Sequence, residues 1–320
     1  MNPSIMILNV LKKILSSKTI QLSLEEENII RNSLMQRGGV SVEELFELKN
    51  KTAVLNNKDD IWNVEYIASK LKAFNIGVVK YFDEIASTQG ISMKLASERQ
   101  SGYSLVIAGR QFRGRGRYGR LWFSDYGGLW FSIGFSKPNK TGLRPALSLA
   151  TGLGVVKGIE ATLLLRLGLK WPNDIVWNRR KVGGILIESL VSEESTVFTV
   201  GIGLNVNNPI EKLPQNVGKI ATSISRIVGH QIPRVPLLLN IVSNTIISIE
   251  KYFTSPGRIV EEWKEYDVLY GRRVSVELYP GKIVKGVEKG VSRGGELLLE
   301  DNTGKIVRVA MGEIIDFYGT

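Results

Sequence analysis

The sequence predicts an α+β fold in three parts: a helical N-terminal segment, a central domain built on a sheet, and a small C-terminal β-barrel. Three observations predict it. Apolar residues keep helical spacing through much of residues 1–75. From about Val78, strand-like runs outnumber helical ones and do not alternate with them, which argues against a doubly wound sheet. After Tyr270, about fifty residues read as short strands separated by turns, the texture of an SH3-like barrel.

The elements follow in order. Ile7, Leu8, Val10, Leu11, Ile14 and Leu15 are spaced as one helix face, and further short helices are expected over Glu25–Met35 and Val42–Leu48. Asn63 can cap a helix running to Phe74, with Gly77 beyond its end. Strands are expected over Val78–Phe82, Tyr103–Gly109 and Leu129–Phe135, then a long helix over Pro145–Leu165. Short strands follow around Leu169–Trp171, Ile175–Trp177, Gly184–Leu190 and Thr196–Gly203, then amphipathic helices over Val235–Phe253 and Arg258–Tyr266. The last five strand candidates are Arg272–Leu278, Lys282–Val291, Glu296–Asp301, Lys305–Ala310 and Glu313–Phe317.

Composition narrows the chemistry. The 320 residues carry a formal net charge of +11, so an anionic ligand or partner is expected. Residues 1–60 hold eight Lys/Arg and eight Asp/Glu, so the whole excess lies in residues 61–320. With no cysteine, disulfides, zinc–thiolate sites and cysteine nucleophiles are excluded. The single histidine, His230, sits in a loop-like Gly-His-Gln-Ile-Pro, which argues against a Ser-His-Asp triad. No apolar run approaches the ~18 residues of a membrane span. The start lacks a basic stretch before its apolar one and has no small-residue cleavage site, so the cytoplasm is the expected location.

Residues 109–120, G-R-Q-F-R-G-R-G-R-Y-G-R, hold five arginines and four glycines. Gly114 to Gly119 matches the letters of a dinucleotide-binding turn. Such a turn needs a helix opening at its last glycine and an acidic residue about twenty positions on. Here the chain continues R-L-W-F-S-D-Y-G-G, which supplies neither. Arginine–glycine segments for nucleic acid come as repeated tracts, and this one occurs once between two strands. Five crowded guanidinium groups repel one another unless a polyanion joins them, and their forks suit carboxylate and phosphate oxygens. The expectation is a loop that orders over a ligand with several negative charges; the bland alternative is a solvated basic loop.

Three further blocks stand out. Lys170–Asp174, K-W-P-N-D, either displays a lysine, an amide and a carboxylate together or is a plain turn. In Arg180–Glu188, Lys181 precedes two glycines that permit either close approach to a ligand or a bulge or hairpin turn. Val200–Asn208 is a strand in which Gly201 and Gly203 clear one face before Asn205, for a ligand or for an aromatic neighbour.

Together these blocks resemble the biotin protein ligases. That family shows Gly-Arg-Gly-Arg-x-Gly-Arg, Lys-Trp-Pro-Asn-Asp, Lys-x-Gly-Gly-Ile-Leu-x-Glu and Gly-Ile-Gly-x-Asn-Val in this order. Its Ser-Thr-Asn is Ser87, Thr88 and Gln89 here, and its Ala-Thr-Ser is Ala221–Ser223. The resemblance spans about Val78 to Phe317. It implies a class II synthetase-like mixed sheet of the biotin/lipoate ligase type over residues 76–269, a C-terminal SH3-like domain over 270–320, and biotin and ATP as substrates with Mg2+. Biotinoyl-5′-AMP forms first, and biotin then passes to a lysine of a biotin carboxyl carrier protein.

The resemblance also implies roles. Arg117 and Lys170 are the catalytic candidates. Biotin falls to Ser87, Thr88, Gln89, Gln111, Arg115, Gly116, Arg117, Lys181 and Gly184, with Gly201 and Gly203 making room for its rings. Phosphates and nucleotide fall to Arg115, Arg117, Arg120, Asn173, Lys181 and Asn205. Asp174 is the one candidate protein ligand for Mg2+. Gln89 is one methylene longer than the family's Asn.

Some relatives carry an N-terminal winged helix-turn-helix, and residues 1–75 have the length for a degenerate one. Their neutral charge and the acidic start of S-V-E-E-L-F argue against DNA as a partner. A homodimer is a further expectation, and no membrane contact is expected. Two alternatives stand beside the ligase: a biotin-responsive DNA-binding repressor, and a lipoate or octanoate ligase.

Overall fold

The computed structural model describes residues 62–98, 101–138, 146–278 and 281–317, with the backbone of three short strands nearer the N-terminus. Those strands, β1 (Thr19–Gln21), β2 (Phe46–Lys49) and β3 (Thr52–Leu55), form an antiparallel sheet in the order β1-β3-β2. This corrects the helix expected over Val42–Leu48. Phe46-Glu47-Leu48-Lys49 alternates apolar and charged with the two-residue period of a strand. The helices expected over Ile7–Leu15 and Glu25–Met35 lie outside the described residues.

Helix α1 (Val64–Leu71) starts where expected. Asn63 Oδ1 accepts the Tyr66 N–H at 2.9 Å, and Ile67 and Leu71 are buried. A 3-10 turn ends at Asn75, whose φ of 57° is left-handed, so the stop falls two residues before Gly77.

The central domain is one seven-stranded sheet. Its strands are β4 (Ile76–Ile85), β5 (Tyr103–Gln111), β6 (Leu129–Pro138), β7 (Gly168–Lys170), β8 (Asp174–Trp177), β9 (Arg180–Val191) and β10 (Ser195–Leu204). They lie in the order β4-β5-β6-β10-β9-β8-β7. Only β4 and β5 are parallel, so the sheet is mixed. Helix α2 (Thr88–Ser97) makes the crossover that a parallel pair requires. The sequence did not announce this helix: its buried stripe is Thr88, Gln89, Ser92 and Ala96, polar or small, where periodicity searches for apolar residues.

Helix α3 (Ala146–Leu163) is apolar nearly all round and lies under the sheet. By length and composition it could cross a bilayer, but 78% of it is buried inside the protein. Short α4 (Gln215–Gly218) and α5 (Ile224–Val228) precede α6 (Arg234–Thr254) and α7 (Pro256–Lys264). Gly154 and Gly158 of α3 press against the α6 backbone at Thr245 and Ile241, where any Cβ would collide. Small residues one turn apart let two helices meet backbone to backbone.

The C-terminal strands β11 (Arg273–Leu278), β12 (Lys282–Val291), β13 (Leu297–Glu300), β14 (Ile306–Val309) and β15 (Glu313–Ile314) form an antiparallel sheet in the order β14-β13-β12-β11-β15. This SH3-like unit docks on the β7–β9 end of the main sheet. Trp171 Nε1 donates to Gly295 O at 3.0 Å and Arg179 Nε to Phe317 O at 2.7 Å. Core side chains of both sheets belong to one buried cluster.

Candidate active site

One cavity of about 240 Å³ opens between the main sheet, the arginine–glycine loop and β15. Ser87, Thr88, Gln89, Gln111, Arg115, Gly116, Arg117, Arg120, Lys170, Asn173, Asp174, Lys181, Gly184 and Asn205 all line it, as do Gly201 and Gly203. Residues spread over more than a hundred positions of sequence therefore meet at one place.

Local structure explains the cationic end. The K-W-P-N-D block is a hairpin connection that sets Lys170, last in β7, opposite Asp174, first in β8. Lys170 Nζ lies 3.3 Å from Asp174 Oδ2, and Lys181 Nζ lies 2.5 Å from Oδ1. Lys181 follows a hairpin turn with left-handed Asn178 and Arg179, and Val182 is a bulge residue in the β8–β9 pairing. Both structural alternatives for K-V-G-G thus hold, and the bulge turns Lys181 toward the cavity. Burial pushes the Lys170 ammonium below its ordinary range, and the Asp174 charge partly offsets this.

The arginine–glycine loop folds down over the cavity. Gln111 pairs with Ser124 and Arg115 with Leu121, and no helix follows Gly119. Arg115 Nη2 donates to Glu188 Oε2 at 3.3 Å and Arg117 Nη1 to Gly312 O at 3.2 Å. Arg120 grips Glu313 through Nη1 and Nη2 at 2.8 and 2.7 Å. That hydrogen-bonded pair raises the Arg120 pKa. Burial pushes the Glu313 carboxyl up, but the Arg120 hydrogen bond and charge outweigh it and hold it below its usual range.

The other end of the cavity is a slot of neutral polar groups. Ser87 caps α2 and leads Thr88 and Gln89 into it. Gln111 Oε1 accepts from Thr88 N at 2.8 Å, and Gln111 Nε2 donates to Ser124 Oγ at 3.0 Å. Gln89 is held at three points: Ser132 and Thr199 hydroxyls donate to Oε1 at 3.0 and 2.9 Å, and Nε2 donates to Leu186 O at 3.0 Å. Asn173 gives its amide to Ile185 O at 2.7 Å, and Asn205 Oδ1 accepts from Asn208 Nδ2 at 2.9 Å.

Gly201 and Gly203 line the cavity, and Gly203 also meets the aromatic neighbour that was the alternative. A Cβ on Gly201 would lie 2.9 Å from the Gln89 carboxamide, and one on Gly203 2.5 Å from Trp122 Nε1. The room they leave is filled by the chain's own Gln89 and Trp122. The Trp122 ring also carries Lys181 Nζ at 5.2 Å from its centroid.

Asp174 does not suit a metal. Both its oxygens face lysines, and among the described residues no group of three or more acidic or histidine side chains could hold an ion.

Sequence reading missed Trp122, Ser132, Thr199, Glu313 and Ile314. The hydroxyls sit inside strand patterns that read as packing, and Glu313 sits in what reads as the last strand of a separate small domain.

The family model described as the biotin/lipoate A/B protein ligase family matches residues 81–207, and that for the biotin protein ligase C terminal domain matches residues 269–315. A Bacillus subtilis protein named bifunctional ligase/repressor BirA is 34% identical over 234 residues, covering 70% of this chain and 70% of the relative. The chain belongs to the biotin protein ligase family. A second relative of that name, from Escherichia coli, is 27% identical over 267 residues, covering 81% of this chain and 79% of its own. The Aquifex aeolicus biotin protein ligase, solved with biotin and ATP, superposes with a TM-score of 0.64 at 28% identity. That match covers 75% of this chain and 98% of the Aquifex chain. In this biotin protein ligase family member, the arginine loop, both lysines and the C-terminal sheet enclose one site.

Proposed function

We infer that this protein is an ATP-dependent biotin protein ligase. It forms biotinoyl-5′-AMP and passes biotin to a lysine of a biotin carboxyl carrier protein. One observation carries the reading: five cations, Arg115, Arg117, Arg120, Lys170 and Lys181, ring one end of a cavity whose other end is the neutral polar slot of Thr88, Gln89 and Gln111.

Two anions must meet for the first step. A biotin carboxylate oxygen attacks the α-phosphorus of ATP, a P–O bond forms, and the bond to pyrophosphate breaks. Negative charge gathers on the phosphoryl oxygens, so fixed cations are the main resource. Lys170 and Lys181, held at set positions by Asp174, face that charge together with Arg117. Arg115 and Arg120 serve the remaining phosphates. In the second step the acceptor amine attacks the acyl carbon, its C–O bond breaks and AMP leaves. Folded down, the arginine loop excludes water from the mixed anhydride. Magnesium that accompanies ATP would be held by the phosphates rather than by Asp174, whose oxygens face lysines.

Biotin-dependent exchange of labelled pyrophosphate into ATP tests the reading. Exchange supported by lipoate or octanoate and not by biotin overturns it. The same reading divides the chain after residues 75 and 269.

Two observations favour a second role for the N-terminal part. It contains a three-stranded antiparallel sheet, as a winged helix does, and the Bacillus and Escherichia relatives are named ligase/repressor. A mobility-shift assay with the DNA upstream of its own gene, with and without biotin and ATP, tests that role.

A further inference from the structure

We infer that Phe317 is a positioning residue for Lys170: its ring seats the lysine's ammonium, and Arg179 in turn holds the ring. The chemical step this serves rests on the ligase reading, whereas the seat itself rests on geometry alone.

The backbone of Arg179 supplies the first observation. Trp177 pairs with Arg180, so Asn178 and Arg179 alone turn the chain between β8 and β9. Both are left-handed, with φ of 44° and 61°. Such a two-residue turn favours Asn followed by Gly. Asn178 fits. An arginine in the glycine's place strains the backbone, and strain of that kind persists only where the surroundings hold it. Here the guanidinium is held. Its Nε donates to Phe317 O at 2.7 Å and its Nη2 to Asp316 O at 3.3 Å. Its Cζ lies over the Phe317 ring, 5.6 Å from the centroid. On the other flank Asp316 Oδ2 accepts from Ser275 N at 2.8 Å. Phe317 is thus pinned between the hairpin of the main sheet and strand β11.

The ring meets Lys170. Phe317 is 5% exposed, and Lys170 Nζ lies over it at 5.6 Å from the centroid. The negative face of an aromatic ring attracts an ammonium, and more strongly away from water. Burial is the largest effect against the Lys170 charge, and Lys181 adds to it, while Asp174 and Glu313 favour the charge. Asp174 is shared with Lys181, and Glu313 with Arg120. A third carboxylate would neutralise the lysine and compete with an anionic ligand. A ring attracts the cation and leaves its charge intact. An aliphatic side chain at 317 would fill the same space and attract nothing.

NMR titration of the lysine ε-carbons, on the full chain grown with 13C-lysine, reads Lys170 without any substrate; Lys170→Arg identifies its signal. In Phe317→Leu, Lys170 is expected to lose its proton about half to one pH unit lower than in the wild type. Arg179→Gly moves it the same way, although glycine suits the turn better than arginine does. Phe317→Tyr keeps the ring and restores the wild-type titration. In biotin-dependent pyrophosphate exchange, Phe317→Leu and Arg179→Gly lower kcat roughly 10- to 100-fold, the scale of a small misplacement, with KM for biotin changed less than about twofold. An unmoved Lys170 in Phe317→Leu means that Phe317 only packs, and overturns the inference. So does an Arg179→Gly protein that titrates and turns over like the wild type, since Arg179 then only turns the chain. If the titrations shift as expected but the wild-type protein exchanges no pyrophosphate, the seat stands and the ligase reading falls.

Discussion

Arg120 and Glu313 meet through two hydrogen bonds, 2.8 and 2.7 Å long, 193 residues apart in sequence. They tie the loop over the cavity to strand β15 of the C-terminal sheet. Both are partly exposed, so the pair contributes only ~0.5 kcal/mol to global stability. Its effect is local. Glu313→Gln is expected to leave the melting temperature within a degree or two but to speed tryptic cleavage within residues 110–120 several-fold. An unchanged cleavage rate would count against a latch. Because Glu313 titrates below its ordinary value, its contribution is present above about pH 4 and is lost as the pH falls further.

Lys170 is 2% exposed and its charge opposes burial. On the proposed role, Lys170→Gln removes an ammonium from beside the α-phosphate while Lys181 still neutralises Asp174. Biotin-dependent pyrophosphate exchange is expected to fall roughly 100- to 1000-fold, the scale for losing one preorganised donor. The melting temperature should change little. A rate near wild type would remove Lys170 from the chemistry. In the wild type the exchange rate should also decline on the alkaline side, at a pH below the usual lysine range, as Lys170 loses its proton.

Asp267 and Glu288 face each other where the two sheets join. Burial pushes Asp267 up to about 7; burial and then the Asp267 charge push Glu288 up to about 8. With both ionised, neither Asp267 Oδ2 nor Glu288 Oε2 has a donor; one proton between them satisfies both. Below about pH 4 the folded and unfolded chains are both protonated. As the pH rises from there through about 8, the unfolded chain gives up protons that the folded pair keeps, so stability falls. Glu288→Gln supplies a permanent N–H to Asp267. Its melting temperature should fall less than the wild type's between pH 5 and pH 9, which melts across that range would read directly. Parallel curves would sink the shared-proton account.

Gly203 gives up its side chain to Trp122, whose Nε1 lies 2.5 Å from where a Cβ would be. Gly203→Ala must push the indole toward the cavity or tilt it off Gly184. The expected result is a several-fold rise in KM for biotin or ATP with a stability loss of about 1–3 kcal/mol, typical of overpacking. Unaltered kinetics would mean the indole has slack that the packing conceals.

Much of the architecture was legible because strands and helices here keep their periods. Thr196–Gly203 and Leu129–Phe135 read as strands and are strands. The site was legible because its cations and glycines are grouped in short motifs. Helix α2 was hidden because the face it buries is polar or small, and its first two residues, Thr88 and Gln89, line the cavity. β2 was hidden because four residues of alternation cannot outvote a longer helical window. Glu313 carries no local signal: its partner is 193 residues upstream, so only the fold reveals the pair.

The C-terminal sheet has a further consequence, in time rather than in space. Glu313 and Ile314 form part of the cavity wall, and Phe317 lies under the Lys170 ammonium at 5.6 Å. A ribosome makes the arginine loop, both lysines and the whole main sheet well before it reaches these residues, and domains fold as they emerge. A nascent chain that has folded its central domain still lacks one side of the chamber. On the ligase reading, a chain that stops short of Phe317 lacks part of the wall that would keep a reactive acyl-adenylate from water.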